Sequence, residues 1–572
     1  MKTLLSSVSP RLRRKSATAA FIWLTVLLWG LLTLLAGMST PSSLLAYLVF
    51  SVIFLGLLVT GIAQRESYGY FFLSLFIWLG FWFKYTLHIL IDYPFVEPVG
   101  NFFGAGFGWY RSELISPVSY SIGEKLAWDE VLLASSCGAA GVVLAFCIYW
   151  YSTKRNLRSP NPYSVPSWYT KVRTKLWLAV LLSATVAAIA NSVLGIQQIG
   201  LVSRVLLPWP MNALLSWWVS IGAAITVGTL VYWDMKIGKN LVWPVCSILF
   251  EGLLSTVSLL SRGTYIFHSL PQLLALCGHY REIVGIKGRQ LGFLIPVGIV
   301  LLLFSIVAVT ALRTQLYSRG GSNVIQADVS SKSVSSLPNT SEKTSWQLHI
   351  LDEVITEMRQ RIASGQAMRK QLAILIDKQT MLERELLDMP IATPSLKSDF
   401  IDSLRSVVRN VVLLSSDRWI GLEGVMAVQT YEGKNLHTFL KALTERREVG
   451  QLTSYQFVSN SPYAAMSSNQ NQFAALPGSI AFLLLSGSLW FVIGGMLILS
   501  LALLFFERLV LRLTSNPLIC ALIGLAMANT IAQMGVAPKQ DIPYYLMISM
   551  AVFFIYFIQS QRLVGLLVKI KI

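Results

Sequence analysis

Two sets of ionisable residues stand where the surrounding sequence is apolar. Glu251, Ser255, Ser258 and Arg262 follow at i, i+4, i+7 and i+11, and Lys84, His88 and Asp92 at i, i+4 and i+8, so on a helix each set lines one face. Charge inside a hydrocarbon layer is costly unless paired or set in a water-filled cavity, which makes these groups candidates for proton transfer or for holding an ion. The simpler alternative is an interhelical ion pair, Lys84 with Glu251. Further arginines close or open apolar runs: Arg204 in LVSRVLLPWP, Arg313 in VTALRTQLYS and Arg418 in SSDRWIGLEGVMAV. One such arginine only reaches for headgroups. Four together, Arg204, Arg262, Arg313 and Arg418, offer the planar, bidentate donors that recognise phosphate or carboxylate.

Groups able to take a proton lie in the same region. Asp417 and Glu423 are set among apolar residues and two glycines, and partly buried charges demand partners. His437, in YEGKNLHTFLKALTERRE, is a third proton carrier, although a lone exposed histidine more often has no such role.

The elements that position these residues are membrane spans. The chain has 572 residues, 54% hydrophobic and only 13% charged, a balance that excludes an ordinary soluble domain. Apolar runs of roughly 20 residues suffice to cross a bilayer. They occur near 18–37, 43–63, 69–91, 131–151, 176–195, 213–233, 241–260, 291–312, 479–505, 516–536 and 542–560, and the shorter 264–278 is read as crossing too. With about twelve spans, alternate loops and span ends on one side carry 22 basic groups against four acidic ones, and that excess equals the +18 charge of the whole chain. The positive-inside rule then puts both termini in the cytoplasm. The same asymmetry accounts for the basic balance through topology and anionic lipid, without nucleic acid. RLRRK before the first apolar run reads as an uncleaved anchor. Five cysteines without paired spacing give neither a disulfide framework nor a metal motif.

The expected fold is an all-α polytopic membrane protein with a large, mostly helical external loop. Residues 1–312 hold nine spans and the external loop 92–130, residues 313–478 form the large loop, and 479–572 hold the last three spans. In the first loop Trp109 and Tyr110 suit either an interfacial anchor or, beside Arg111 and Glu113, contact with a sugar. In the second, a Ser- and Gly-rich linker precedes helical patterns at 346–362, at 367–388 and after Thr393, which read as a small helical cap.

About twelve spans, cytoplasmic ends, external arginines, and DRWIGLEGVMAV followed by LPGSIAFLLLSGSLWF entering a span together resemble the Wzy-like oligosaccharide repeat-unit polymerases and the WaaL-like O-antigen ligases. The resemblance implies a bacterial cytoplasmic (inner) membrane glycosyltransferase. It would polymerise or transfer polyprenyl-pyrophosphate-linked oligosaccharides at the outer face, for O-antigen, capsule or exopolysaccharide synthesis. It implies lipid-linked donor and acceptor, membrane lipids and a chain-length regulator as partners, and neither cofactor nor metal. On that reading Arg262 and Arg418, then Arg204 and Arg313, hold the departing pyrophosphate, and Glu423, then Asp417 and His437, are the candidate bases; Glu251 is either a participant or a support for Arg262. Two other classes stay open: a flippase for lipid-linked sugars, with Glu251, Lys84 and His88 as coupling groups, and a scaffold of a polysaccharide-export assembly.

Overall fold

The computed structural model describes the backbone of residues 10–38, 42–64, 67–92, 125–153, 165–199, 203–238, 242–278, 288–325, 419–446, 453–459, 476–535 and 538–559, with single residues 40, 201 and 240 between them. In chain order the helices are α1 (Pro10–Gly37), α2 (Leu44–Ala63), α3 (Tyr68–Trp78), α4 (Lys84–Asp92), α5 (Lys125–Thr153), α6 (Tyr169–Leu194), α7 (Met211–Trp217), α8 (Ala223–Lys236), α9 (Val242–Leu259), α10 (Thr264–Gly278) and α11 (Gly288–Ile325). Further along the chain come α12 (Leu422–Gln429), α13 (Leu436–Thr444), α14 (Ser454–Ser459), α15 (Ser479–Leu484), α16 (Leu489–Thr514), α17 (Pro517–Ala532) and α18 (Ile542–Gln559). A π turn, Leu79–Phe83, joins α3 to α4, and a second, Trp218–Gly222, joins α7 to α8. A 3₁₀ turn, Pro538–Asp541, leads into α18.

Among the described residues nine helices are long and apolar enough to cross a membrane. Trp23–Gly37 and α17 are shorter apolar helices, and α10 has 15 residues. Their ends follow local chemistry. Ser43, Ser488 and Asn516 cap α2, α16 and α17 by accepting from backbone N–H groups of the first turn, with Pro517 opening α17. Gly195 closes α6 in the left-handed conformation.

The core gathers on α17, which is buried from Pro517 through Leu525. Gly524 lies against the backbone of Gly69 at the start of α3, an approach that a side chain at Gly524 would prevent, while a Cβ on Gly69 would meet Glu507 and Leu503 of α16. At one end of the bundle, Tyr85 and Thr40 share a hydrogen bond of 3.0 Å, Asp129 accepts from Ser43 N–H at 2.7 Å, and the Tyr85 and Trp128 rings lie 5.3 Å apart. At the other end of α3, Glu507 accepts from Ser67 Oγ at 2.6 Å and from Gly69 N–H at 3.0 Å. That carboxylate from α16 caps α3, where a helix N-terminus favours negative charge. Elsewhere Asp234 on α8 is fully buried and takes both prongs of Arg173 at 2.6 Å, the Tyr169 hydroxyl at 2.6 Å and Trp177 Nε1 at 3.1 Å. Arg173, Tyr169 and Trp177 share one face of α6 at four-residue spacing.

The chain divides into two units, residues 1–318 with 409–572, and residues 319–408. Of the second, only the backbone of residues 319–325 is described. The helices expected at 346–362, 367–388 and after Thr393 lie outside the described residues, as do Trp109, Tyr110, Arg111 and Glu113.

Two expectations need correction. The apolar run 479–505 is not one span: α15 ends at Leu484, Gly487 turns the chain at φ +76, and α16 begins only at Leu489 and continues to Thr514. Nor does the face of Glu251, Ser255 and Ser258 continue to Arg262. Leu260 adopts φ 52 and ends α9, with Ser261 N–H bonded to Thr256 O and Leu260 N–H to Val257 O. That is the double bond pattern of a left-handed helix stop, here without glycine, and Arg262 sits beyond it in the turn to α10.

Candidate functional site

Lys84 is the first residue after the π turn of the third span and is almost wholly buried. Its ammonium forms an ion pair with Glu423 and donates to Trp419 O at 3.1 Å. Glu423 stands in the first turn of α12 with 30% of its side chain exposed, so it is the more open member of the pair. Close packing brings the two segments together. Gly80, inside the π turn, lies against Ile420 O, and Gly424 lies against the Pro477 backbone, so that a Cβ at either position would collide with main chain. A Cβ on Gly421 would likewise meet the Phe81 ring, so the two glycines of IGLEG let a short buried helix seat itself between the third span and residues 476–478 before α15.

Aromatic and polar residues surround the pair. Trp419 stacks on Phe76 at 5.7 Å, and Phe76 meets Phe267 of α10 edge-on at 6.4 Å. Burial, and after it the Glu423 charge, push the Tyr455 phenol up. On the rim, Gln429 donates to Glu130 Oε2 at 2.5 Å and Lys434 to Gln429 O at 2.7 Å. Burial pushes the Lys434 ammonium down, while Glu130 acts the other way. α13 rests on this region through Phe439, whose ring meets Phe482 at 5.3 Å and Phe491 at 4.8 Å.

The arginines Arg204, Arg262 and Arg313 stand on three segments tied to one another. Arg313 donates to Ile199 O at 2.7 Å, Ile199 N–H to Leu259 O at 2.9 Å, and Arg204 N–H to Gly195 O at 2.9 Å. Asn191 clamps the same junction: its amide donates to Gln197 O, Ser258 O and Ser258 Oγ, and its carbonyl accepts from Gln197 N–H. Arg204 is exposed, and Arg262 and Arg313 are half-buried. Phe267, five residues past Arg262, links this junction through Phe76 to Trp419.

The anticipated residues therefore separate into groups. Lys84 pairs with Glu423 and not with Glu251, because Glu423 is delivered to the end of the third span by the α12 segment. Glu251 instead faces His268 of α10 at 3.0 Å and accepts from Ser255 Oγ at 2.7 Å. His437 is exposed on α13. Asp417 and Arg418 lie outside the described residues, as do the side chains of His88 and Asp92, although both of those residues belong to α4. Sequence reasoning missed His268 as a partner and the whole role of Trp419. It also missed Asp541, half-buried without a hydrogen-bonding or ionic partner among the described residues; burial raises its carboxyl to about 6. No spacing rule links Glu251 to a residue 17 positions on or Lys84 to one in another loop.

The helices define an all-α chain with the length and apolarity of a polytopic membrane protein. Comparisons with protein-family models, with curated proteins and with solved structures gave no match.

Proposed function

We propose that this chain is a membrane glycosyltransferase that polymerises or transfers polyprenyl-pyrophosphate-linked oligosaccharides at the outer face of the bacterial cytoplasmic membrane. α1, α10 and α17 complete a set of twelve spans, with both termini in the cytoplasm and residues 313–478 outside. The observation that carries the reading is the junction in which Arg313, Ile199 and Leu259 are bonded in series. It brings three arginine-bearing segments to one place, linked through Phe267, Phe76 and Trp419 to the Lys84–Glu423 pair.

The chemistry needs two kinds of group. An acceptor hydroxyl attacks the anomeric carbon of the donor, the bond from that carbon to the pyrophosphate oxygen breaks, and the electron pair leaves with the pyrophosphate. Guanidinium groups placed where that negative charge grows stabilise the transition state. Arg262 is assigned first and then Arg204 and Arg313, whose segments meet at the junction, and Arg418 is assigned to the same role from its sequence. The hydroxyl proton passes to a carboxylate that substrate can reach, and Glu423 is 30% exposed. Lys84 positions that carboxylate through the ion pair.

A second reading, a flippase for lipid-linked sugars, is favoured by the buried Glu251–His268 contact, since intramembrane ionisable groups are common in transporters. Both are tested in a strain lacking the gene, complemented with Arg262→Ala or Glu423→Gln at wild-type expression. Loss of long surface glycans with lipid-linked single repeats accumulating on the outer leaflet supports transfer chemistry. Accumulation on the inner leaflet supports the flippase, and an unchanged glycan ladder in both variants refutes the site.

A further inference from the structure

The contact between α9 and α10 carries a proton count that its acceptors determine. His268 Nε2 lies 2.9 Å from Ser220 O, inside the second π turn, where the regular helical ladder is interrupted. A carbonyl oxygen only accepts, so Nε2 holds a proton. His268 Nδ1 lies 3.0 Å from Glu251 Oε1 and 3.3 Å from Oε2, and Ser255 Oγ donates to Oε1 at 2.7 Å. A bare ring nitrogen and an ionised carboxylate are both acceptors and repel at such a distance. One proton therefore stands between them, on Nδ1 or on the carboxyl group. In either form the pair is neutral overall, as imidazolium with carboxylate or as imidazole with carboxylic acid, and a low-dielectric interior tolerates that state best.

The surroundings leave the pair to itself. Glu251, Ser255 and His268 are all buried. Among the described residues no other charged group bonds to the pair, and Gln272 donates to the His268 backbone carbonyl at 3.0 Å rather than to its ring. Gly252 brings α9 close against Ser269 of α10, so the two helices meet tightly beside the contact.

We propose that Glu251 and His268 form a proton-binding site within the membrane, whose single shared proton holds α9 to α10 and both to the π turn of the sixth span. The two helices are the arms of the hairpin whose turn carries Arg262, with Glu251 eleven residues before it and His268 six after. Removing the proton sets two acceptors against each other and loosens that hairpin. The site itself is independent of the glycan-transfer reading; only its service to Arg262 rests on that reading.

The test uses full-length protein carrying nitrogen-15 histidine and carboxyl-carbon-13 glutamate, held in lipid nanodiscs at pH 7.5 and observed by NMR. The expected spectrum has His268 Nε2 protonated and one further proton at the contact, seen either on Nδ1 or as a Glu251 carboxylic acid. Glu251→Gln retains a donor to Nδ1 and should leave a neutral ring protonated on Nε2 alone. Loss of one histidine signal in His268→Gln gives the assignment; if that variant does not fold, the one ring signal altered by Glu251→Gln gives it. A wild-type spectrum with a neutral ring facing an ionised Glu251, a bare Nε2, or an imidazolium signature untouched by Glu251→Gln overturns the proposal. No outcome depends on glycan transfer, so failure of one idea leaves the other standing.

Discussion

Removing either partner of the Lys84–Glu423 pair should not cost the same, and the order is fixed by burial. Lys84 is 3% exposed and Glu423 30%. Glu423→Gln leaves an almost wholly buried ammonium without a counter-charge, with only neutral acceptors, Trp419 O and the new amide oxygen, beside it. Breaking a buried pair in that way costs about 3 kcal/mol. Lys84→Met leaves a carboxylate with access to water and fills the site with a side chain of similar length, so its cost is about 1–2 kcal/mol once solvent screening is allowed for. The double variant Lys84→Met with Glu423→Gln leaves no buried charge and should be more stable than Glu423→Gln alone, with a coupling energy of about 1–3 kcal/mol. The assay is a double-mutant cycle on the purified protein in one detergent, each variant unfolded to its midpoint by denaturant. Equal single costs that simply add in the double variant would refute the reasoning, because they would mean that the pair exchanges little energy in the folded protein.

Three further outcomes follow from other contacts. Gly424→Ala should destabilise by about 1–3 kcal/mol through collision with the Pro477 backbone, whereas Gly494→Ala, with nothing within 4 Å, should be neutral or slightly stabilising in the same unfolding assay. Asn191→Ala removes the clamp on the arginine junction and should cost about 2–3 kcal/mol in the same unfolding assay and, on the proposed function, shorten the surface glycan in the complemented strain. Asp541 is raised by burial to about 6 from an ordinary 3.8; the folded state thus binds its proton more tightly than the unfolded state, and the stabilisation present below about pH 4 is lost as pH rises through about 6. Asp541→Asn should therefore match wild type at pH 4 and exceed it by about 1 kcal/mol at pH 7.5, after discounting for its partial exposure, measured by unfolding at the two pH values.

The parts of the fold that depend on local signals were legible in the sequence, and those that depend on approach between distant segments were not. α10 occupies 264–278, where a helical span was expected, because Gly263 and Gly278 bracket a short apolar run. The break between α15 and α16 was hidden by the long apolar runs on either side of Ser486, Gly487 and Ser488, a short polar step with no proline or charge in it. Leu260 gave no warning that α9 stops, since a left-handed stop usually takes glycine and this one keeps a buried leucine. Of the candidate site, the importance of Lys84, Glu251, Glu423 and the arginines was visible from their cost in an apolar setting. Their partners were not, because groups 335 residues apart, such as the Lys84 ammonium and Trp419 O, meet only through the fold.

The two π turns give those pairings a common physical basis. A helix inside a bilayer has no water to satisfy displaced carbonyls, so an irregular turn persists only where protein groups meet it. The first π turn is packed by Ile420 and Gly421 and ends at Lys84, whose charge Glu423 balances. The second presents Ser220 O to His268, whose ring is balanced by Glu251. Each irregular turn thus coincides with one buried pair of opposite character, and each pair draws its second member from a different helix. Removing the His268 ring therefore removes the group that meets Ser220 O, and removing either turn misplaces the ionisable group beside it. The third and sixth spans are held in register by the same groups that supply the bundle with ionisable chemistry, so substitutions at Lys84 or His268 should affect assembly and function together, while exposed His437 should affect neither.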